Sequence, residues 1–591
     1  MQIYNEKHIA AQQRIEELFL KGTPISVAFS GGKDSSVLLD LTFAAAISAK
    51  TKGASPYILV TNGDTGIENP EIAAYCKTES QKIIAYARKH GIELSYHVAT
   101  PNLNETWAVR IIGGRALPSF PQNNSDCSVS WKVKPMASLR KRLMKEITIN
   151  TGREPVTLVG TRLSESTARA TKMTARNETH LAPTRNKDGD LVFAAIADFS
   201  TDDVWERIGL VRSKLLDSYS DFNDLTRLYA AAGNTSCAVV SDSITESMKG
   251  ERGSCNARTG CLVCTKIQND FSLTNMIESD VERYGYMAAP NKLRDFIVYT
   301  QWDFSRRQWV GRSIDENGMI AIRPDVYSPK MCLDLLRYAL TIDADERTLA
   351  YQSGKSPRFE LVPLEALVAI DCMWSLQAIH KPFQAIKEYI DITENRIRYE
   401  VPNVPEFPRQ PMPKTRYLFL GDYAHNDNLT FSGLRDPLLE MVGEDACRTT
   451  RQLKNGKIVL DVETEPSFNV DLEGAVMALD FELDRIMDMH NANNGKTGLT
   501  LGYRWWARMG VISLAPQQVS IHDEILRRSE LKERIGIAGP DLELDYLFSI
   551  SKTATPAPKL IEPPKPKAEF KKENQLDFFS MFSLEDEKLA A

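Results

Sequence analysis

The chain has 591 residues, 42% hydrophobic and 25% charged, with a net charge of −6. These are the proportions of an ordinary globular protein with room for about three to four domains, and they exclude collagen-like and charge-dominated disordered chains. No apolar run approaches the ~18–20 residues of a membrane span and the first residues carry no signal-peptide pattern, so a cytoplasmic protein with no membrane segment is expected. The acidic balance leaves any nucleic-acid binding to local patches.

In chain order, residues 5–20 have helix-forming composition with apolar residues at helical spacing. Ile25–Phe29 is a short β-capable apolar run, as in a strand buried in a parallel sheet, and Val37–Leu41 reads as the start of a helix. Between them lies Ser30-Gly31-Gly32-Lys33-Asp34-Ser35-Ser36. A strand–glycine loop–helix unit aims backbone N–H groups and a helix N-terminus at one spot, a place for a phosphate. It is not a Walker A loop, whose spacing is longer. Tyr57–Asn62 reads as a second strand and ends in Asp64-Thr65-Gly66, where open α/β sheets bind ligands. A helix to about His90 and a strand over Glu93–Val98 follow.

Six basic side chains lie between Lys132 and Lys145. Two readings fit them, a solvated helix face and a phosphate-facing patch. Val156–Gly160 is a further strand and runs into Gly160-Thr161-Arg162-Leu163-Ser164-Glu165-Ser166 and then Arg169. A short strand from Phe193 leads to Asp202-Asp203-Val204-Trp205, a helix capped by Ser200 or Thr201 with acidic residues in its first turn. Alternating strands and helices imply a doubly wound parallel α/β sheet.

The order Ser-Gly-Gly-Lys-Asp-Ser, Asp-Thr-Gly, Gly-x-Arg-x-x-Glu-Ser-x-x-Arg and Asp-Val-Trp resembles the phosphoadenosine phosphosulfate (PAPS) reductase family of the PP-loop ATP pyrophosphatase superfamily, over roughly residues 20–210. The resemblance implies cleavage of ATP between the α and β phosphates. Ser30, Gly31, Gly32, Lys33, Ser35 and Ser36 would cradle pyrophosphate, Asp34 would hold Mg²⁺, and Asp64, Thr65, Gly66, Gly160, Arg162, Glu165 and Arg169 would contact nucleotide or substrate. An Arg–Glu pair made only for structure is the alternative for Arg162 and Glu165.

Four cysteines then fall close together: Cys237, Cys255, Cys261 and Cys264. Four thiolates hold either tetrahedral zinc or a cubane cluster, and spacing does not separate them. Cys76, Cys332, Cys372 and Cys447 read as small core residues. The Arg-x-Gly-Cys-x-x-Cys pattern after a PAPS reductase-like half resembles the DndC-type component of bacterial DNA phosphorothioation, which implies a [4Fe–4S] cluster. Cys127 is then either the fourth ligand in place of Cys237 or a sulfur relay. The function so implied is ATP-dependent adenylation of a DNA backbone phosphate, followed by sulfur replacement, with sulfur from a cysteine desulfurase and with other subunits of a modification or defence system as partners. A tRNA thiolase and a nucleotide-sensing component of a phage-defence assembly are the alternatives.

Trp302, Arg306, Arg307, Trp309 and Arg312 form an aromatic and basic group, read either as a DNA contact or as an amphipathic helix face. Strands are expected near 417–421 and 456–463, and helices over 472–487 and around Trp505-Trp506. From residue 551 the proline- and lysine-rich composition reads as a disordered linker. It ends in Gln575-Leu576-Asp577-Phe578-Phe579, which resembles the peptide by which bacterial proteins bind the replication sliding clamp. The expected units are 1–215 (PP-loop domain), 216–285 (cysteine-rich), 286–400 (helical), 401–550 (mixed α+β) and 551–591 (tail).

Overall fold

The structure is a computed structural model that describes residues 5–121, 126–165, 167–187, 189–233, 260–315, 317–420, 450–452, 458–460, 467–492 and 498–553. Cys237, Cys255, Cys447 and the clamp-like peptide at 575–579 lie outside the described residues.

The first third is an α/β unit: α1 (Glu6–Leu20), β1 (Ile25–Ala28), α2 (Lys33–Thr51), β2 (Tyr57–Gly63), α3 (Pro70–His90), β3 (Glu93–Ala99), α4 (Asp126–Ser128), α5 (Lys134–Thr151), β4 (Val156–Leu158), α6 (Thr167–Ala175), β5 (Thr184–Arg185), β6 (Leu191–Phe193), α7 (Thr201–Arg212) and α8 (Asn223–Gly233). The six strands run in the order β3-β2-β1-β4-β6-β5. All pairings are parallel except β5 with β6. β1 lies centrally, with Ile25 opposite Ile58 and Val156, and Val27 opposite Val60 and Leu158. Both of its faces are covered, so it reads as a continuous apolar run instead of alternating. Chain order reverses between β1 and β4, which opens a crevice at their C-terminal ends, the usual ligand position in such sheets.

The helix after β1 begins at Lys33, earlier than the expected start at Val37. Gly32 stands at the N-cap in extended conformation, which places Lys33, Asp34, Ser35 and Ser36 in the first turn. Asp34 there is favoured by the positive end of the helix dipole. α2 is buried on most of its circumference, between the sheet on one side and α1 and α7 on the other. A buried ion pair, Asp40 to Arg207 at 2.6 Å, ties α2 to α7. Ser200 is the cap of α7, in a reciprocal box with Asp203.

The remaining described residues are largely helical: α9 (Phe271–Ser279), α10 (Val281–Tyr284), α11 (Ala288–Tyr299), α12 (Pro329–Gln352), α13 (Leu364–Leu376), α14 (Gln384–Thr393), α15 (Leu472–Ala492), α16 (Leu501–Arg508), α17 (Pro516–Arg534) and α18 (Leu544–Ile550). α13 is buried all round from Ala366 to Leu376 and mostly apolar, as suits a helix enclosed by others, and its buried Asp371 accepts the Trp506 indole N–H at 2.9 Å. It packs on α14, α16 and a π-helical turn at Ala108–Ile112, where the Trp374 indole donates to the Ile112 carbonyl at 2.8 Å. One apolar core therefore runs from the sheet into this half.

A small antiparallel sheet is formed by β7 (Val310–Ile314), β8 (Met319–Ile322) and β9 (Arg416–Phe419). The aromatic and basic group at 302–312 is thus a 3-10 turn and a strand, not a helix face. Arg312 pairs with Asp325 at 2.9 Å and Arg307 is buried beside Tyr327. Arg307 is thereby committed within the fold, while Arg312 keeps half of its side chain exposed. Further strands are β10 (Thr450–Gln452) with β11 (Ile458–Leu460), and β12 (Asn469–Val470) with β13 (Ile512–Ser513). Among the described residues no helix is long and apolar enough to cross a membrane.

Candidate active site

The loop after β1 is built around two short hydroxyls. Ser35 Oγ donates to the Gly32 carbonyl at 2.9 Å, accepts from the Ser30 N–H at 3.2 Å, and lies 3.1 Å from Ser30 Oγ. Gly31 has φ +71°, and a Cβ there would stand 2.5 Å from Cys76 Sγ, so both conformation and space demand glycine. Gly160, just beyond β4, presses on the same turn: a Cβ there would lie 3.2 Å from the Ser35 nitrogen. Ser36 is fully buried in the first turn of α2, near Tyr75 and Tyr219.

Arg162 is 2% exposed and places Nε 2.7 Å from Asp34 Oδ1. Its Nη1 also donates to Ser164 Oγ at 2.9 Å. Lys33 Nζ stands 3.4 Å from the other Asp34 oxygen. The partner of Arg162 is therefore Asp34, not Glu165, and it links the β4 loop to the phosphate loop. With two cations on it, the Asp34 carboxylate is not poised for Mg²⁺. Such an ion at this place would take most of its ligands from phosphate and water. Arg169 lies on α6.

Tyr229, on α8, was not singled out in the sequence. Its hydroxyl accepts the Lys33 N–H at 3.2 Å, and Lys33 Nζ lies 5.3 Å from its ring centroid. Burial, with Asp34 and Glu165 nearby, pushes its hydroxyl up to about 12. A lone tyrosine in an amphipathic helix carries no signal for such a role.

Asp64 forms a turn, its carboxylate accepting the Gly66 N–H at 2.8 Å. Thr65 donates to Glu68 at 3.2 Å, and Glu68 holds Lys132 Nζ at 2.9 Å. The Cys261–Cys264 turn is stitched onto this loop: Leu262 N–H donates to the Ile67 carbonyl at 2.8 Å, and Glu68 and Cys261 form a β-bridge. Burial, reinforced by Glu68, pushes the Cys261 thiol up to about 12. Burial also raises Cys264, with Asp270 and Cys127 adding to the effect. For Lys132, burial works against the ammonium, but Glu68 and the two thiols outweigh it and its pKa is raised.

The chemistry of this set fits a thiolate-bound metal. Two half-buried thiols lie in a tight turn, with Cys264 N–H donating to the Cys261 carbonyl at 3.1 Å. The cation Lys132 is beside them, while Arg294 donates to the Cys264 carbonyl at 2.8 Å. Among the described residues no three ligands stand close enough together to hold a metal. Cys255 and Cys237 would have to complete the set, with Cys127 as the other candidate.

Beside these loops is a cavity of about 670 Å³, lined by Ser30, Asn62, Asp64, Glu68, Tyr96 and Lys132 among others. Its volume suits a small-molecule ligand of nucleotide size. Ser356–Arg358 close one side, so the helical half contributes to it. α5 rests on β2 through Leu143 and Ile147 and lends Met136 to the cavity wall, while Lys134, Lys141, Arg142 and Lys145 are exposed and Arg140 pairs with Asp190 at 2.6 Å.

No curated protein matches the chain. Among solved structures, the U34-tRNA thiolase NcsA from Methanococcus maripaludis, determined with its [4Fe-4S] cluster, aligns at 12% identity over 45% of this chain and 90% of that chain. Its TM-score is 0.21, and no reading of this chain rests on it. Residues 24–215 match the family model of the phosphoadenosine phosphosulfate reductase domain. The sheet order, the phosphate loop and the crevice described above all fall within that matched segment, which is similar to a PAPS reductase domain.

Proposed function

We propose that the protein is an ATP pyrophosphatase and sulfurtransferase that activates a backbone phosphate of DNA and exchanges one of its oxygens for sulfur. The observation that carries this reading is the docking of the Cys261–Cys264 turn onto the Asp64–Glu68 loop, which sets the thiols next to Glu68 and Lys132, two residues that line the nucleotide-sized cavity. ATP lies with its phosphates at the N-terminus of α2, where the backbone N–H groups, the dipole and Lys33 stabilise pyrophosphate as it leaves. A non-bridging oxygen of the DNA phosphodiester attacks the α phosphorus, which forms a P–O bond to AMP and expels pyrophosphate. A hydrosulfide-level nucleophile, from a cysteine desulfurase persulfide and a reductant, then forms a P–S bond at the DNA phosphorus. The bridging oxygen departs with AMP. Arg162 fixes Asp34, and with it the first turn of α2, while the exposed cations of α5 attract the nucleic-acid backbone. A [4Fe–4S] cluster would be held by Cys261, Cys264, Cys255 and either Cys237 or Cys127, each iron then carrying a thiolate, and would supply electrons to the reductive step.

The test is anaerobic purification followed by iron, zinc and sulfide analysis, with sulfur incorporation into DNA and into tRNA measured in parallel. About four irons and four sulfides per chain, lost in Cys261→Ala and Cys264→Ala, together with phosphorothioate in DNA that Lys33→Ala abolishes, are expected. One zinc without sulfide, or sulfur appearing only in tRNA, would overturn the reading.

A further inference from the structure

A second cavity, of about 590 Å³, lies among the Ala108–Ile112 turn, β7, the end of α13 and α17. Its wall carries Arg110, Arg115, Lys134, Arg312, Arg528 and Lys532. Leaving Lys134 aside, the other five share three carboxylates among the described residues. Glu105 serves both Arg110, at 2.8 Å, and Arg115, at 3.5 Å. Asp325 serves Arg312 at 2.9 Å, and Glu524 serves Arg528 at 2.8 Å. Lys532 donates to the Gly311 carbonyl at 2.7 Å and has no carboxylate within ion-pair distance among the described residues. Arg528 Nε is buried with no hydrogen-bond partner among them. Crowded like charges facing a part-enclosed space raise the energy of the empty site and favour an anion there. Apolar side chains, Val310, Ile379, Ile521 and Ile525, share the lining with these cations.

We infer that this cavity is a binding site for a small phosphate-bearing anion with an apolar or aromatic portion, a nucleoside phosphate in chemical class, distinct from the nucleotide cleft. Its volume is that of a small-ligand pocket and far below that of a duplex. The site does not depend on what the first cleft transfers. It is mechanically joined to that cleft through one segment. Arg110 Nη1 donates to Ser130 Oγ, and the Trp131 indole donates to the Glu105 carbonyl at 2.6 Å. Lys134 lines this cavity, while Lys132, two residues earlier, lines the other.

Lys532 supplies a second readout. Burial, then Arg528 on its own helix and Arg312 on β7, push its ammonium down to about 7, against the pull of Asp325. A bound anion reverses that balance, so binding near pH 7.5 takes up protons.

The experiment is calorimetric titration of the full chain, in its Lys33→Ala form, with inorganic pyrophosphate and with ADP, in two buffers of different ionisation enthalpy. Binding with net proton uptake is expected, at least tenfold weaker once Arg528→Gln and Lys532→Met are added and retained with Arg528→Lys and Lys532→Arg. Arg312→Gln, at an exposed rim position, should weaken binding about threefold or more without touching the buried wall. Equal affinity in Arg312→Gln and in the neutral double variant overturns the inference, and so does absence of binding in the Lys33→Ala chain. If the neutral double variant does not fold, the Arg312→Gln and charge-conserving chains decide the matter by the same criteria.

Discussion

Replacing Arg162 by methionine removes the cation that stands 2.7 Å from Asp34 in a side chain only 2% exposed. Two unit charges at that distance attract by about 6 kcal/mol at an effective dielectric of about 20, a gross figure that desolvation largely offsets. The net cost of removing one partner is that of the buried charge left behind, about 3–5 kcal/mol. Lys33, 3.4 Å from the same carboxylate, remains and compensates part of it. The Asp34 side chain also keeps 17% exposure. The expectation for Arg162→Met is therefore the low end, about 3 kcal/mol. Asp34→Asn combined with Arg162→Met removes the stranded charge and should recover about 1.5 kcal/mol or more of the summed single losses. Urea unfolding followed by the tryptophan fluorescence of the chain, to which Trp205 on α7 beside this site contributes, measures the cycle. Additivity of the two single changes within about 0.5 kcal/mol would refute the pairing as the element that locks the β4 loop to the phosphate loop.

Two other outcomes follow from the same geometry. Tyr229→Phe frees the Lys33 N–H that the hydroxyl now accepts, and should cost about 0.5–1.5 kcal/mol of stability without ligand. The same change should tighten ATP binding about two- to fivefold by calorimetry, since a phosphate oxygen no longer competes with the tyrosine. Unchanged or weaker binding would show that the hydroxyl does not stand in the phosphate's place. His380 is buried against Trp374, with Nε2 2.8 Å from the Pro329 carbonyl, and burial pushes its pKa down to about 4. The unfolded chain therefore takes up this proton first, and up to about 3 kcal/mol of stability is lost as pH falls from about 6.5 to 4. Asp343 and Asp371, raised by burial to about 7 and about 6, act in the opposite sense. The His380→Gln chain, compared with the parent by urea midpoints at several pH values, isolates the histidine: the variant should lose less stability on acidification. Parallel curves would rule out a neutral buried imidazole.

What the sequence alone determined is local. The apolar run at 25–28, the glycine–serine loop, the Asn69-Pro70 start and Gly91 stop of α3, and the Ser200 cap of α7 are set by residues within a few positions of one another. The doubly wound sheet follows from their alternation. Reading Lys33 as loop failed because extended Gly32 lets the helix begin one turn earlier than the apolar pattern shows. What the tertiary structure decided is which distant groups meet. Arg162 finds Asp34, Tyr229 accepts from Lys33, and Leu262 pairs with Ile67, each across long stretches of chain whose relative placement is governed by packing. The basic cavity is the extreme case. Its cations come from separate segments between Arg110 and Lys532, and only the packing of α17, β7 and the Ala108–Ile112 turn around one cavity brings their charges together.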